Sequence, residues 1–505
     1  MNYFIGIDIG TTHTKAVVTG DDGTLFFEAK KGYDLLRPQP GYEEQDVDVI
    51  MNIVTDLLRQ SIAAVSSEET IAAVGFSAAM HSLLPVDENG TPLYNAITWA
   101  DTRSRKEAET ILQHTDTGVL YANTGIPVHP MSPLCKIVWF REQSPSIFAK
   151  TEKFISIKEY IFYKLTGKYL VDHSLAAATG LFNIYEKKWD AVALQIAGID
   201  ENKLSQPVPT VHAEHALTPF YTELFSLRGM VPFIIGASDG CLANLGSGAV
   251  MQGETALTIG TSGAVRMTLQ SLPDPGIQDK ERLFIYPLAA DLYVRGGAIN
   301  NGGIVLGWLA NLLLPDGEAT DNYYEKLLSL AAQASPGADG LVFLPYLLGE
   351  RAPVWDADAK GVLVGLGIRH RKEQVTRAAL EGICFILYQI LQKLESAHGA
   401  VKEIYASGGF VQSGFWVQLI ADITGKKIRV REKADASAAG AAWLAMYATG
   451  YLKNLQEVKQ FVRDRRVYEP DTNKHEVYAR LFPVFNSLYG KLKDDFAALS
   501  RLQEN

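Results

Sequence analysis

Cysteine is scarce in this chain. There are three in 505 residues, Cys135, Cys241 and Cys384, far apart in apolar surroundings and with no Cys-x-x-Cys pair. That spacing excludes a disulfide framework or a thiolate metal cluster and predicts free, buried thiols in a reducing compartment. No apolar run is long enough to span a bilayer, and the first residues lack a basic stretch followed by an apolar core. Neither a membrane span nor a secretory leader is expected, and the expected location is cytoplasmic. No block of Lys or Arg stands out against a net charge of −10, which argues against nucleic acid or an anionic membrane as partner. What remains, 47% hydrophobic residues, is ample for large cores in an ordinary globular chain.

The run Phe4 to Val18, FIGIDIGTTHTKAVV, carries the first chemical signal. It reads as a β-hairpin: an apolar strand with a single carboxylate, Asp8, a turn through Gly10, Thr11 and Thr12, and a second apolar strand. Its turn has what a polyphosphate needs. Gly10 lets backbone N–H groups approach, Thr11 and Thr12 add hydroxyl donors, and Lys15 adds positive charge. Asp8 points to the same place, where it could hold a phosphate-bound Mg²⁺ through water. An ordinary hairpin with a polar turn would show the same residues. The pattern recurs 250 residues later at Ala256 to Val265, ALTIGTSGAV, with Gly260 and Thr261 in the places of Gly10 and Thr11. Two copies at this separation predict a duplicated domain whose halves face each other across a nucleotide.

Three further clusters end apolar strands. After Ile71 to Ser77 come Met80 and His81, where open α/β sheets bind ligands. After Ile97 come Trp99, Asp101 and Arg103 at alternate positions, which a continuing strand would place on one face as a flat wall, an acceptor and a charged donor for a polyol. After Phe233 to Ala237 comes Asp239 between small residues, suited to a general base that takes a proton from a hydroxyl. An Asp serving as the N-cap of a following helix gives the same local pattern.

Between these clusters, Asp46 is the expected N-cap of a helix carrying Ile50, Ile53, Val54, Leu57 and Leu58 on one face. Residues 124–136 carry three prolines and read as a rigid loop, and a helix is expected around Ile157 to Phe162. Further on, Arg295 to Gly303 should open a helix, and Glu350-Arg351 forms a charged pair between apolar residues, a candidate lock between halves. A long helix is expected from Lys372 to Ala397. The Gly408-Gly409 turn between strand and helix would let a planar base lie against the backbone.

Taken together, GIDIGTT, GASDG, TIGTSGA and SGGFVQSGFWVQLIADI resemble the FGGY carbohydrate kinases in order and across nearly the whole chain. Within that family FSAAMHS, ITWADTRS, GIPVHPMSPLCKI, ISIKEYIFYKL, VDHSLAAATG and INNGGIVLGW look most like the gluconate-using members. The resemblance implies an α/β fold of two actin-like (ribonuclease H-like) domains with an ATP cleft between them. Residues 1–246 would be the N-terminal domain with substrate site and catalytic acid, and 247–505 the nucleotide-binding C-terminal domain.

The resemblance makes Asp239 the catalytic base and gives Asp8 the Mg-ATP-linked role. Thr11, Thr12, Thr261 and the Gly303 turn would bind phosphates, and Gly409 with Ser413 would lie near the adenosine. Met80 and His81 match a sugar-contacting pair of related kinases, and Trp99, Asp101 and Arg103 lie where the family builds its substrate pocket. The implied reaction is ATP-dependent phosphorylation of the terminal hydroxyl of D-gluconate to 6-phosphogluconate. Such a pocket needs a cation remote from Asp239 for the C1 carboxylate, and Arg103, His81, His129 and Lys136 are the candidates. A kinase of xylulose or another ketose or polyol is the alternative, and a non-metabolic actin-like ATPase would share only the nucleotide turns. The partner expected is a small sugar or sugar acid, and a homodimer is left open.

Overall fold

The computed structural model describes residues 1–66, 68–274, 282–315, 322–431 and 435–503. The chain packs as two compact units: residues 1–251, 268–294 and 433–462 form one, and 252–267, 295–432 and 463–505 the other. The first unit thus includes two later segments, and the helix Ala436–Ala448 of the second of them, rich in Ala, covers strands that begin at Asn2 and Thr70.

Six strands build the first unit's sheet: β1 (Asn2–Ile9), β2 (His13–Gly20), β3 (Leu25–Gly32), β4 (Thr70–Ala78), β5 (Ala213–Glu214) and β6 (Phe233–Ser238). Their order is β5-β6-β4-β1-β2-β3. β1, β2 and β3 are an antiparallel meander, while β1, β4 and β6 run parallel. The parallel strands are almost wholly buried, as strands covered on both faces must be. One cover is the helix Val47–Ala64, whose N-cap Asp46 accepts from the N–H groups of Asp48 and Val49 as expected.

The second unit's sheet repeats this plan with β7 (Glu254–Ile259), β8 (Gly263–Leu269), β9 (Leu292–Ile299), β10 (Glu403–Ser407), β11 (Ile428–Arg431) and β12 (Asp464–Tyr468). The sheet has a seventh strand, Phe284–Ala289, at the edge beside β9, and from there the order β9-β8-β7-β10-β11-β12 again sets a hairpin beside parallel strands, β7 with β10 and β10 with β11, and closes with an antiparallel edge. This is the duplication that the two Gly-Thr turns predict, in the ribonuclease H-like architecture that the resemblance implies. The long helix runs Lys372–His398, one residue beyond its expected end. The segment 124–136 is a loop only as far as Ser132: Pro133 starts the helix Pro133–Gln143 from its N1 position, where a missing N–H costs nothing. All three cysteines are free and buried. Among the described residues no helix is long and apolar enough to cross a membrane.

Candidate active site

Strand register assembles the first cluster. Asp8 stands opposite Lys15 across the β1–β2 pair and opposite Ser77 across the β1–β4 pair, and Ser77 in turn stands opposite Ala237 of β6. The carboxyl ends of three parallel strands thus lie in one row, the position where open α/β sheets bind ligands. Asp239 follows two residues after Ala237. Reaching that register requires Gly236: its φ is +74°, and a Cβ there would lie 1.6 Å from the Phe76 carbonyl oxygen.

Asp239 is the first residue of the helix Asp239–Ser247, and Ser238, not Asp239, is its N-cap, accepting from the Cys241 N–H. The capping alternative read from the sequence therefore passes to its neighbour. The Asp239 carboxylate accepts from the Gly240 N–H at 2.6 Å in the first helical turn, where the helix dipole favours negative charge.

Asp8 is 6% exposed and accepts from Ser77 Oγ at 2.6 Å. Burial, then the charges of Asp435 and Asp239, push its carboxyl up to about 7 against the opposing pull of Ser77 and Lys15. Lys15 forms an ion pair with Asp435, the N-cap of the helix Ala436–Ala448. Burial works against the Lys15 ammonium, but Asp435 and Asp8 outweigh it and hold the group above its ordinary value. Ser437 of the same helix donates to the Asp239 backbone carbonyl at 3.3 Å. Asp435 was missed by sequence reasoning. Its only local signal is an acid immediately before a run of small residues, the mark of a capped, closely packed helix.

The first Gly-Thr turn is braced on several sides. Gly10 donates its N–H to the His13 carbonyl at 3.0 Å, and its own carbonyl accepts from Tyr33 Oη at 2.5 Å. Gln45 Nε2 donates to the Thr11 carbonyl at 2.7 Å, and Trp99 Nε1 donates to Thr11 Oγ1 at 2.9 Å. Thr12 is exposed, with its hydroxyl 2.9 Å from His13 Nδ1.

Trp99 therefore belongs with the first Gly-Thr turn, and the expectation that Trp99, Asp101 and Arg103 share a face is overturned. The strand ends at Ile97, so alternation does not carry on through the cluster. The Asp101 and Arg103 side chains are buried, at 0% and 1% exposure. Arg103 donates to both Asp101 oxygens, to Glu44 Oε1 at 2.6 Å and to Tyr94 Oη at 3.2 Å, and its guanidinium stacks 3.7 Å from the Tyr42 ring centroid. Burial disfavours its charge, but the two carboxylates hold Arg103 above its ordinary value.

Lys136 is likewise enclosed, at 0% exposure, with Nζ donating to the carbonyls of His81 (2.6 Å) and Thr98 (2.7 Å). Burial lowers it to about 7. It ties together the two loops that follow β4 and Ile97. His81 sits in the left-handed region at φ 66°, beside half-buried Met80, with Nδ1 2.7 Å from the Ala178 carbonyl. A carbonyl only accepts, so Nδ1 carries the proton. His129 Nδ1 accepts from the Met131 N–H at 3.2 Å, which leaves the proton on its Nε2.

In the second unit the Gly260–Ser262 turn packs against the start of the helix Ile304–Leu313. Gly302 and Ile304 donate to the Thr261 carbonyl at 3.2 Å each, and Gly303 donates to the Gly260 carbonyl at 2.7 Å. Gly260, Thr261 and Gly303 are thus brought together. Gly409 is exposed and follows β10, and Ser413 caps the helix Gly414–Thr424 by accepting from the Trp416 N–H. Glu350 binds Asn300 and Asn301, and Arg351 Nη2 donates to the Ile299 carbonyl, each of these partners lying within the second unit.

A duplicated α/β fold with a glycine-hydroxyl turn in each copy, and carboxylates at the parallel-strand ends of the first, defines a phosphotransfer enzyme of ribonuclease H-like fold. The chain belongs to the FGGY family of carbohydrate kinases. Residues 3–246 match that family's N-terminal domain and residues 255–449 its C-terminal domain. Sugar kinases of this family use ATP as the phosphate donor. The chain is 40% identical to "Gluconokinase" of Bacillus licheniformis over 513 residues, which cover 100% of this chain and 99% of the relative. A gluconate kinase structure from Lactobacillus acidophilus superposes with a TM-score of 0.91 at 34% identity, covering 99% of each chain. A ligand-bound xylulose kinase structure from the same organism gives a TM-score of 0.91 at 33% identity, covering 99% of this chain and 100% of the other.

Proposed function

We propose that this chain is an ATP-dependent, cytoplasmic kinase of D-gluconate that places the phosphoryl group on the terminal hydroxyl to give 6-phosphogluconate. The observation that carries the substrate choice is the 40% identity to a gluconokinase over the whole length of both chains. Fold similarity does not separate gluconate from xylulose, since kinases of both superpose equally well. Xylulose phosphorylation therefore stands as the second reading.

In this reading residues 1–246 carry the sugar and the base, and 247–505 carry most of the nucleotide contacts. Asp239, held at a helix N-terminus, accepts the proton of the attacking hydroxyl, a contribution of about 10²–10⁴-fold by general-base precedent. Gly10, Thr11, Thr12 and Lys15 in one unit and Gly260, Thr261 and Gly303 in the other bind the phosphates. Phosphoryl transfer asks mainly for positioning and charge stabilisation, which such N–H, hydroxyl and ammonium donors supply. Gly409 and Ser413 take the adenosine end.

Among the described residues no three His, Cys, Asp or Glu side chains form a direct ligand set for a metal ion. Asp8 nevertheless faces Asp435 and Asp239, whose charges disfavour its own. A hydrated Mg²⁺ carried by the triphosphate, with Asp8 reaching it through water, fits this donor set. When bound, it would neutralise charge on the transferred group.

Met80, His81 and Trp99 line the sugar side in this reading, with Asp101 and Arg103 as their buried support. Arg103 and Lys136 are committed to internal partners, and in this reading the imidazoles of His81 and His129 are the groups proposed to meet a C1 carboxylate. Identifying the product by ³¹P NMR after incubation with MgATP and gluconate tests the reading. A phosphomonoester on C6 supports it, and a phosphate at another carbon or free phosphate alone overturns it.

A further inference from the structure

Glu350 has no part in the chemistry above, yet both oxygens of its buried carboxylate are held by donors. It is 0% exposed. Its Oε1 accepts from the Asn300 N–H at 2.5 Å and the Arg351 N–H at 2.9 Å, and its Oε2 accepts from Asn301 Nδ2 at 2.9 Å. Asn301, also 0% exposed, is fixed in orientation, because its Oδ1 accepts from the Leu348 N–H at 3.1 Å and its Nδ2 also donates to the Gly349 carbonyl at 2.7 Å. Arg351 Nη2 reaches the Ile299 carbonyl at 3.0 Å, and the Ala352 N–H reaches the Ala298 carbonyl at 3.0 Å. The segment 348–352 therefore holds residues 298–301 along its whole length.

The next residues of the held segment are Gly302 and Gly303, which donate to Thr261 and Gly260. The approach is close: a Cβ on Gly302 would sit 2.5 Å from the Ser262 carbonyl oxygen, and one on Gly303 would sit 2.7 Å from that of Gly260. An unbroken series of hydrogen bonds and peptide units thus runs from the Glu350 carboxylate to the second Gly-Thr turn. From this geometry we infer that Glu350 is a positioning residue for nucleotide, holding Asn300-Asn301 so that Gly302-Gly303 set the Gly260-Thr261 turn in its phosphate-binding shape.

A carboxylate suits the task, because both oxygens face donors and no proton is needed. Burial pushes Glu350 up to about 7, while the Asn301 amide, the Asn300 N–H and Arg351 favour its charged form. In Glu350→Gln one oxygen becomes an NH₂ facing the Asn301 amide, or displaces the Asn300 N–H. Either way two donors oppose each other in a buried site.

The inference rests on the proposed nucleotide role of the Gly260 turn, so its test reads nucleotide binding directly. MgADP affinity is measured by calorimetry, with KM for ATP and for gluconate in parallel, for the wild type, Glu350→Gln, Asn301→Asp and the double variant Glu350→Gln/Asn301→Asp. Glu350→Gln should weaken MgADP by about tenfold and raise KM for ATP by a similar factor, with KM for gluconate unchanged. The double variant, which returns one carboxylate to the pair, should recover part of that loss. Unchanged MgADP affinity in Glu350→Gln, or equal rises in both KM values, overturns the inference. Should Glu350→Gln fail to fold, Gly303→Ala breaks the next link and must show the same selective loss; if it binds MgADP like the wild type, the inference fails. A wild-type protein that does not bind MgADP overturns the functional reading itself.

Discussion

Ser77 donates to Asp8 across 2.6 Å between neighbouring parallel strands, and the second unit repeats the arrangement with Ser407 and Thr258, whose hydroxyl oxygens lie 2.9 Å apart. Each pair sits in equivalent register, two residues before the glycine of its turn. The duplication has kept the hydroxyl partner and lost the charge: Thr258 stands where Asp8 does, and Ala264 stands opposite it where Lys15 faces Asp8. At these positions the first copy carries a carboxylate facing an ammonium, and the second carries a hydroxyl facing a methyl group.

Asp239→Asn should fold with little change in stability, because Ser238 caps the helix, and should bind MgADP as the wild type does. Turnover should fall by about 10²–10⁴-fold. Single-turnover phosphoryl transfer at saturating substrates measures this, and near-normal transfer would remove Asp239 from the mechanism.

Asp8 imposes a pH dependence on stability. Its folded-state value of about 7 lies above the ordinary carboxyl value of 3.8, so between these limits the folded protein binds the proton more tightly than the unfolded chain. Stability from this group is therefore greatest at the acid end of that window and is lost as pH rises towards 7. Asp8→Asn should flatten this part of the profile and stabilise the protein at pH 8 while abolishing efficient turnover. Urea unfolding of both proteins at pH 5.5 and pH 8 checks it. An unchanged difference between the two pH values would contradict the assignment.

Arg103→Lys keeps the charge but not the fork that binds Asp101 and Glu44. Each charge-assisted hydrogen bond that the ammonium cannot replace costs about 1.5–3 kcal/mol. The variant should lose stability in thermal unfolding while keeping its ratio of KM for gluconate to KM for xylulose. A selective loss of gluconate binding would instead make Arg103 the carboxylate's partner.

Lys136→Met removes the donor that the His81 and Thr98 carbonyls share, a loss of about 1–3 kcal/mol, with the Thr98 carbonyl keeping only the longer bond from the Asp101 N–H. Because those carbonyls belong to His81 and Thr98, KM for the sugar should rise while KM for ATP stays constant. Equal changes in both would show that Lys136 supports the unit as a whole rather than the sugar loops.

Local features were legible in the sequence. The Asp8 hairpin, its echo at Gly260 and the Asp46 cap each depend on residues a few positions apart, and each appears as read. Where the reading failed, distance along the chain or an assumed continuation was responsible. Trp99, Asp101 and Arg103 alternate, but the strand stops at Ile97, and Trp99 turns to Thr11 while Arg103 turns to Glu44. Asp435 meets Lys15 across 420 positions, a pairing that no local pattern encodes. Glu350 looked like one half of an ion pair because Arg351 follows it, yet its carboxylate is taken up by backbone and amide donors.

The most direct test is a coupled ADP-release assay of the wild-type protein with gluconate, xylulose, ribulose, glycerol and fuculose, and with no acceptor. The account predicts negligible release without acceptor and a kcat/KM for gluconate at least about tenfold above that for any other acceptor, a margin of about 1.4 kcal/mol in transition-state binding. Equal or greater efficiency with xylulose, or ADP release that ignores the acceptor, would contradict it.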